Sequence, residues 1–181
     1  MELAASLEQI KDKEVLGAYL RARVFFQRKD YAGAKTAFKE VLELEPNQVE
    51  ALSLLMKAQF ALDEQQEAFE YLAQHITRNP EVGYPRQLQG NLYIQTGNIE
   101  AAINSYSELI AIQPESVDAQ IGLAQAYQTR GDSNRALNAY SAAHALRPDD
   151  AQVLTLKAGV LDALGRHQEA MEAYETVLLL D

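Results

Sequence analysis

The sequence predicts an all-α fold built as an array of repeated helical hairpins, and three observations predict it. Four of the five prolines, Pro46, Pro80, Pro114 and Pro148, stand 34 residues apart. With five Pro in 181 residues, three further hits at a preset spacing have a chance of about 2 in 100,000, so the period is real. The same step carries alanine through Ala34, Ala68, Ala102, Ala136 and Ala170, and a large apolar or aromatic residue through Phe38, Leu72, Tyr106, Tyr140 and Tyr174. Within one period the apolar residues recur at helical spacing: Leu123, Ala124 and Tyr127 share one face of a first helix, and Ala136, Tyr140 and Ala143 share one face of a second.

The elements follow in order from this register. First helices begin at Val15, Val49, Gly83, Val117 and Ala151, which divides the chain into units 15–48, 49–82, 83–116, 117–150 and 151–181. The break inside each hairpin is Gly97-Asn98, Gly131-Asp132 or Gly165-Arg166 in the last three units, where glycine takes the left-handed conformation that ends a helix cheaply. The first two units use Lys29-Asp30 and Asp63-Glu64 instead, so their turns are expected to cost slightly more. The periodic Pro stops each second helix. Small residues at Ala22, Gly90, Ala124 and Ala158, and at the alanine series, let helices approach closely, while the aromatic of the second helix fills the space beside them. The second unit departs from the pattern, with Met56 at a small position and Gln59 where the others carry Phe25, Tyr93, Tyr127 or Leu161. Pro85 opens the first helix of the third unit, where a missing N–H does no harm, and marks an altered junction rather than a domain boundary.

Aligned backwards by one period, Leu3, Ala4, Leu7 and Ile10 fall where Ala37, Phe38, Val41 and Leu44 fall one unit later, so residues 1–14 read as the tail of an earlier second helix. The other end carries Val177, Leu178, Leu179 and Leu180 where a polar capping helix is usual. The simplest expectation is a piece of a longer array, with a short complete protein as the alternative. The last helix is then expected either to fray or to make a homotypic contact with a second copy through its uncapped face.

The 34-residue period with small, small, aromatic and Pro positions resembles the tetratricopeptide repeat family over residues 15–181. The resemblance implies helix–turn–helix pairs stacked into a right-handed superhelical solenoid, and a non-catalytic scaffold or adaptor that binds a protein or peptide along the concave face of its first helices.

Charge and composition exclude other classes. Lys plus Arg number 16 against 26 Asp plus Glu, a net charge of −10, so a phosphate backbone is repelled and nucleic acid is not an expected partner. No apolar run approaches membrane-spanning length, so direct membrane insertion is not expected. With no Cys and only His75, His144 and His167, disulfides, thiolate metal sites and Cys nucleophiles are excluded. There is no Gly-rich phosphate loop, nucleophile elbow or His-Glu-x-x-His pair. The three histidines read as surface or packing residues, and Asp149-Asp150 and Asp63-Glu64 as helix-start carboxylates, not catalytic dyads. No enzyme activity, cofactor or metal is expected. The first residues lack a secretory pattern, and localisation stays open.

What the resemblance leaves to decide is surface. The groove-facing positions it implies are Tyr19, Arg23 and Phe26 in the first unit, Lys57 and Phe60 in the second, Tyr84, Gln87, Asn91 and Ile94 in the third, and Ile121, Gln125 and Gln128 in the fourth. The aromatics around Arg23 and Lys57 suit apolar side chains and one negative group. The amides further along suit an extended backbone. The alternative for the aromatics is packing. A Lys-Asn-Arg clamp around a C-terminal carboxylate, as in chaperone adaptors, is disfavoured because Tyr19, Leu54, Tyr84 and Leu88 stand where donors are needed. Two other readings remain: a spacer or oligomerisation segment of a larger multi-repeat protein, and a regulatory module fused to a catalytic domain. The Gln- and Ala-rich units look more like bacterial arrays, including those serving envelope assembly or polysaccharide export.

Overall fold

The computed structural model describes residues 2–180, with side chains described from residue 12 onward. The described residues form ten α-helices and no strand: α1 (Glu2–Gln27), α2 (Tyr31–Leu44), α3 (Val49–Ala61), α4 (Gln65–Arg78), α5 (Tyr84–Gln95), α6 (Ile99–Ile112), α7 (Val117–Arg130), α8 (Ser133–Leu146), α9 (Ala151–Ala163) and α10 (His167–Leu180). They gather into two compact units divided between Val82 and Gly83.

In the first unit α1 packs on α2, α2 on α3 and α3 on α4. The hairpin turns differ from glycine turns as the sequence suggests, because Lys29 and Asp63 are held at φ of 61° and 62°. The left-handed region costs a side-chain-bearing residue roughly 1–2 kcal/mol, which glycine avoids. Asp30 offsets part of this by accepting a hydrogen bond from the Gly33 N–H at 3.0 Å and capping α2. Glu64 makes no such cap on α4; its carboxylate instead accepts from Lys35 Nζ at 2.6 and 2.8 Å, tying the start of α4 to α2. Gln59 is fully buried, and its amide oxygen has no hydrogen-bond partner among the described residues.

One difference from the sequence reading lies at the start. A helix tail over residues 1–14 followed by a new helix at Val15 is not what the backbone does: α1 runs unbroken from Glu2 to Gln27. The periodic proline position falls at Asp12, which has an N–H to donate and no ring to clash, so nothing stops the helix there. The apolar strip expected from Leu3, Leu7 and Ile10 lies outside the described side chains.

In the second unit α5 packs on α6, and each later helix packs on its predecessor through α10. Gly97, Gly131 and Gly165 have φ of 79°, 84° and 74°, the left-handed turns expected of them. Asn98, Ser116, Asp132 and Asp150 cap α6, α7, α8 and α9 through side-chain oxygens. The periodic alanines Ala102 and Ala136 are fully buried, as are Tyr106 and Tyr140 beside them. Gly83 belongs to this unit through its packing, since a Cβ on it would strike the side chains of Leu109 in α6 and of Gln113, the C-cap of that helix. The sequence reading expects only an altered repeat junction at this point. The contacts divide the chain there.

The core thins toward the last helix. Only Ala170 of α10 is buried; Leu178 and Leu179 are 76% and 86% exposed, and Met171, Tyr174 and Leu180 are exposed with them. The apolar face is therefore broader than Val177, Leu178 and Leu180 alone, and Val177 itself is half-buried.

Candidate functional site

In the first unit the expected site residues lie on α1 and α3. Arg23 and Lys57 are exposed. The aromatics around them are not free anchors: Tyr19 is buried, with its ring 6.3 Å from that of Phe38, and Phe26 is half-buried and edge-on to Tyr31 at 5.5 Å and to Phe38 at 6.3 Å. Phe60 likewise sits edge-on to Phe69 at 6.1 Å. The reason is geometric, since the small residues of the hairpin bring α2 close enough for Phe38 to collect the α1 rings. The Arg23 guanidinium lies over the Tyr19 ring at 5.8 Å. Burial, followed by the Glu50 carboxylate of α3, raises the Tyr19 hydroxyl above its ordinary pKa and keeps it neutral. The available chemistry of this face is therefore two exposed cations, Arg23 over the buried Tyr19 ring and Lys57 on α3, with Glu50 beside Tyr19. On the same helix as Arg23, Leu16, Leu20 and Val24 are exposed at four-residue spacing.

In the second unit Asn91, Gln125 and Gln128 are exposed, while Tyr84, Gln87, Ile94 and Ile121 are half-buried. Ile94 packs against the Tyr106 cluster and Ile121 against the Tyr140 cluster, so both serve the core as well as the surface. Two amides are oriented from behind. The Tyr106 hydroxyl donates to Asn91 Oδ1 at 2.5 Å, and the Tyr140 hydroxyl donates to Gln128 Oε1 at 2.7 Å. Burial raises both phenols, Tyr140 to about 12 and Tyr106 further, so both remain protonated donors. With the amide oxygens satisfied, the NH2 ends of Asn91 and Gln128 are left as donors for an incoming carbonyl or carboxylate.

Two further clusters escaped sequence reasoning. Arg130 and Arg135 lie over Tyr127 at 5.0 and 5.8 Å, with Arg130 also bridging Glu100 and Asp132. Lys39 of α2 lies over Tyr71 of α4 at 5.6 Å, and Tyr71 stacks on His75. Neither was visible as a motif, because the members of each come from different helices. His75, expected to be a surface or packing residue, is only 7% exposed and its Nε2 has no hydrogen-bond partner among the described residues. Among the described residues no group of His, Asp and Glu is placed to hold a metal ion, and no helix is long and apolar enough to cross a membrane.

Helical hairpins with buried alanines and buried aromatics define a helical repeat protein. Models of the tetratricopeptide repeat match residues 25–92, 93–158 and 151–181, and the chain belongs to that family. A fission yeast protein, the DnaJ homolog subfamily C member 7 homolog of Schizosaccharomyces pombe, is 27% identical over 124 residues, which cover 62% of this chain and 25% of that protein. The chain thus spans about a quarter of that relative's length. The crystal structure of MamA superposes with a TM-score of 0.69 at 23% identity, covering 88% of this chain and 93% of that one. Yeast Tom70 gives a TM-score of 0.76 at 16% identity, over 91% of this chain and 36% of Tom70. These similarities establish the fold as that of tetratricopeptide repeat proteins.

Proposed function

We propose that this chain is a non-catalytic interaction scaffold that binds a peptide or a partner's helix through the faces of its first helices, α1 and α3 in one unit and α5 and α7 in the other. The carrying observation is the paired orientation of Asn91 and Gln128 by Tyr106 and Tyr140. Two amides held from behind by buried phenols present their NH2 groups at little further conformational cost, which suits the carbonyl oxygens of a bound segment. In the first unit Arg23 and Lys57 supply positive charge to a chain whose net charge is −10, which suits an acidic position on the partner. The repeat register of five units supports the same reading, since equivalent positions recur along successive first helices.

Affinity capture with the intact chain, followed by titration of the captured partner, tests this. The double variant Arg23→Glu with Lys57→Glu is expected to weaken binding by more than tenfold, about 1.4 kcal/mol, without lowering the melting temperature. Unchanged affinity would remove the first-helix face of the first unit from the binding site.

A second reading is favoured by the exposed face of α10. Met171, Tyr174, Leu178 and Leu179 form an apolar surface of the kind other molecules cover, which suits a structural or oligomerising segment.

A further inference from the structure

The first unit carries a second polar cluster, away from the first helices. Between α2 and α4, both second helices, lies a cleft of about 400 Å³. Leu42 and Pro46 give it an apolar wall on the α2 side, and Tyr71 of α4 gives it an aromatic one. Lys39 Nζ is held 5.6 Å from the Tyr71 ring centre, and the His75 ring stacks on Tyr71 at 6.4 Å with an interplanar angle of 26°. Arg78 completes the positive side and Glu43 is the carboxylate among the lining residues.

The charges decide what such a cleft holds. Burial, and then the Arg78 charge, lower the His75 pKa, so its ring is neutral at pH 7. Lys39 and Arg78 against Glu43 leave the lining one positive charge in excess, in a chain that is otherwise strongly acidic. One excess charge matches a monoanion. A dianionic phosphate would add a second negative charge close to Glu43 with nothing to balance it. The apolar walls of Leu42, Pro46 and Tyr71 ask for a carbon side chain next to the anion. His75, buried to 7% exposure, lines the same cleft beside Tyr71.

We propose that the cleft between α2 and α4 is a docking site for an acidic segment of a partner protein, in which one carboxylate side chain sits beside an apolar one. Lys39 and Arg78 hold the carboxylate. Tyr71 and Leu42 take the neighbouring apolar side chain. The site uses the second helices and the residues just after them, not the first helices, so it works independently of the first-helix faces and would let the scaffold hold two partners at once.

The test is an NMR titration of the intact chain with the blocked tetrapeptide Ala-Leu-Asp-Ala, following the ring resonances of Tyr71 and His75. The expected result is a saturable shift of both rings and a rise in the His75 pKa on binding, since a carboxylate nearby favours the imidazolium. The peptide Ala-Leu-Asn-Ala should bind at least tenfold more weakly. Arg78→Gln, at an exposed position, should weaken the Asp peptide several-fold with the helical melt unchanged; Lys39→Glu with Arg78→Glu should abolish it, while Arg23→Glu with Lys57→Glu should leave it intact. The proposal is overturned by no saturable shift at millimolar peptide, by equal binding of the Asn peptide, by indifference to Arg78→Gln, or by inorganic phosphate giving the same shifts at lower concentration.

Discussion

The hydroxyl of Tyr106 donates to Asn91 Oδ1 at 2.5 Å, joining a fully buried ring in α6 to an exposed amide in α5. The ring itself fills a notch between Gly90 of α5 and Gly122 of α7, where an added Cβ would press into its edge. One side chain thereby closes the packing of three helices and orients a group at the surface.

The notch predicts a stability effect. Gly122→Ala forces a methyl into the Tyr106 ring and is expected to cost about 1–3 kcal/mol. Combining it with Tyr106→Leu should give less than the sum of the two single losses, because the shorter side chain vacates the contact. Denaturant melts of the single and double variants measure this. Strict additivity would show that the two residues do not meet.

The turns predict a gain. Lys29→Gly relieves a left-handed lysine at φ 61° and is expected to stabilise the first hairpin by up to about 1 kcal/mol after glycine's own entropic cost. Asp63→Gly should gain less, since Asp63 Oδ1 also accepts a hydrogen bond from Gln65 at 3.1 Å. Thermal melts of the two variants should therefore rank Lys29→Gly above Asp63→Gly.

His75 predicts a pH dependence. Its pKa is lowered in the folded chain, first by burial and then by Arg78, so below the ordinary value of 6.5 the unfolded state binds the proton more readily. Its contribution to stability is complete above pH 6.5 and is lost as pH falls from there toward the lowered value. Lys39, Glu43, Tyr71 and Arg78 line the same cleft as the imidazole. Melting temperatures between pH 7.5 and 5.5 should fall more steeply for the natural chain than for His75→Gln. Parallel curves would mean that the imidazole is as well solvated folded as unfolded.

The exposed face of α10 predicts concentration dependence. If a second copy covers Met171, Tyr174, Leu178 and Leu179, hydrogen exchange across residues 167–180 should slow as protein concentration rises, and Leu178→Glu with Leu179→Glu should remove the effect without lowering the melt. Exchange that is fast and independent of concentration, with a monomer by sedimentation, would leave that face open to other partners.

Much of this architecture is legible in the chain itself. The 34-residue period, the hairpin breaks and the burial of Ala102, Ala136, Tyr106 and Tyr140 follow from residue types at fixed spacing, because helix starts, stops and close approaches depend on groups within a turn or two of one another. The helix on which each candidate first-helix residue lies was legible, and its burial was not. Whether Tyr19 and Phe26 are anchors or packing depends on Phe38, which reaches them only once α2 has folded back.

What the sequence by itself determined is the repeat: its period, its turns and the residues that let one helix lie against the next. Tertiary structure alone decided the rest. It sets Lys39 against Tyr71 across two helices and leaves His75 Nε2 without a hydrogen-bond partner among the described residues. It also turns the Asn91 and Gln128 amides by phenols lying fifteen and twelve residues further along the chain. Such contacts join residues whose separation no local pattern encodes, and they exist only once packing has brought the helices together.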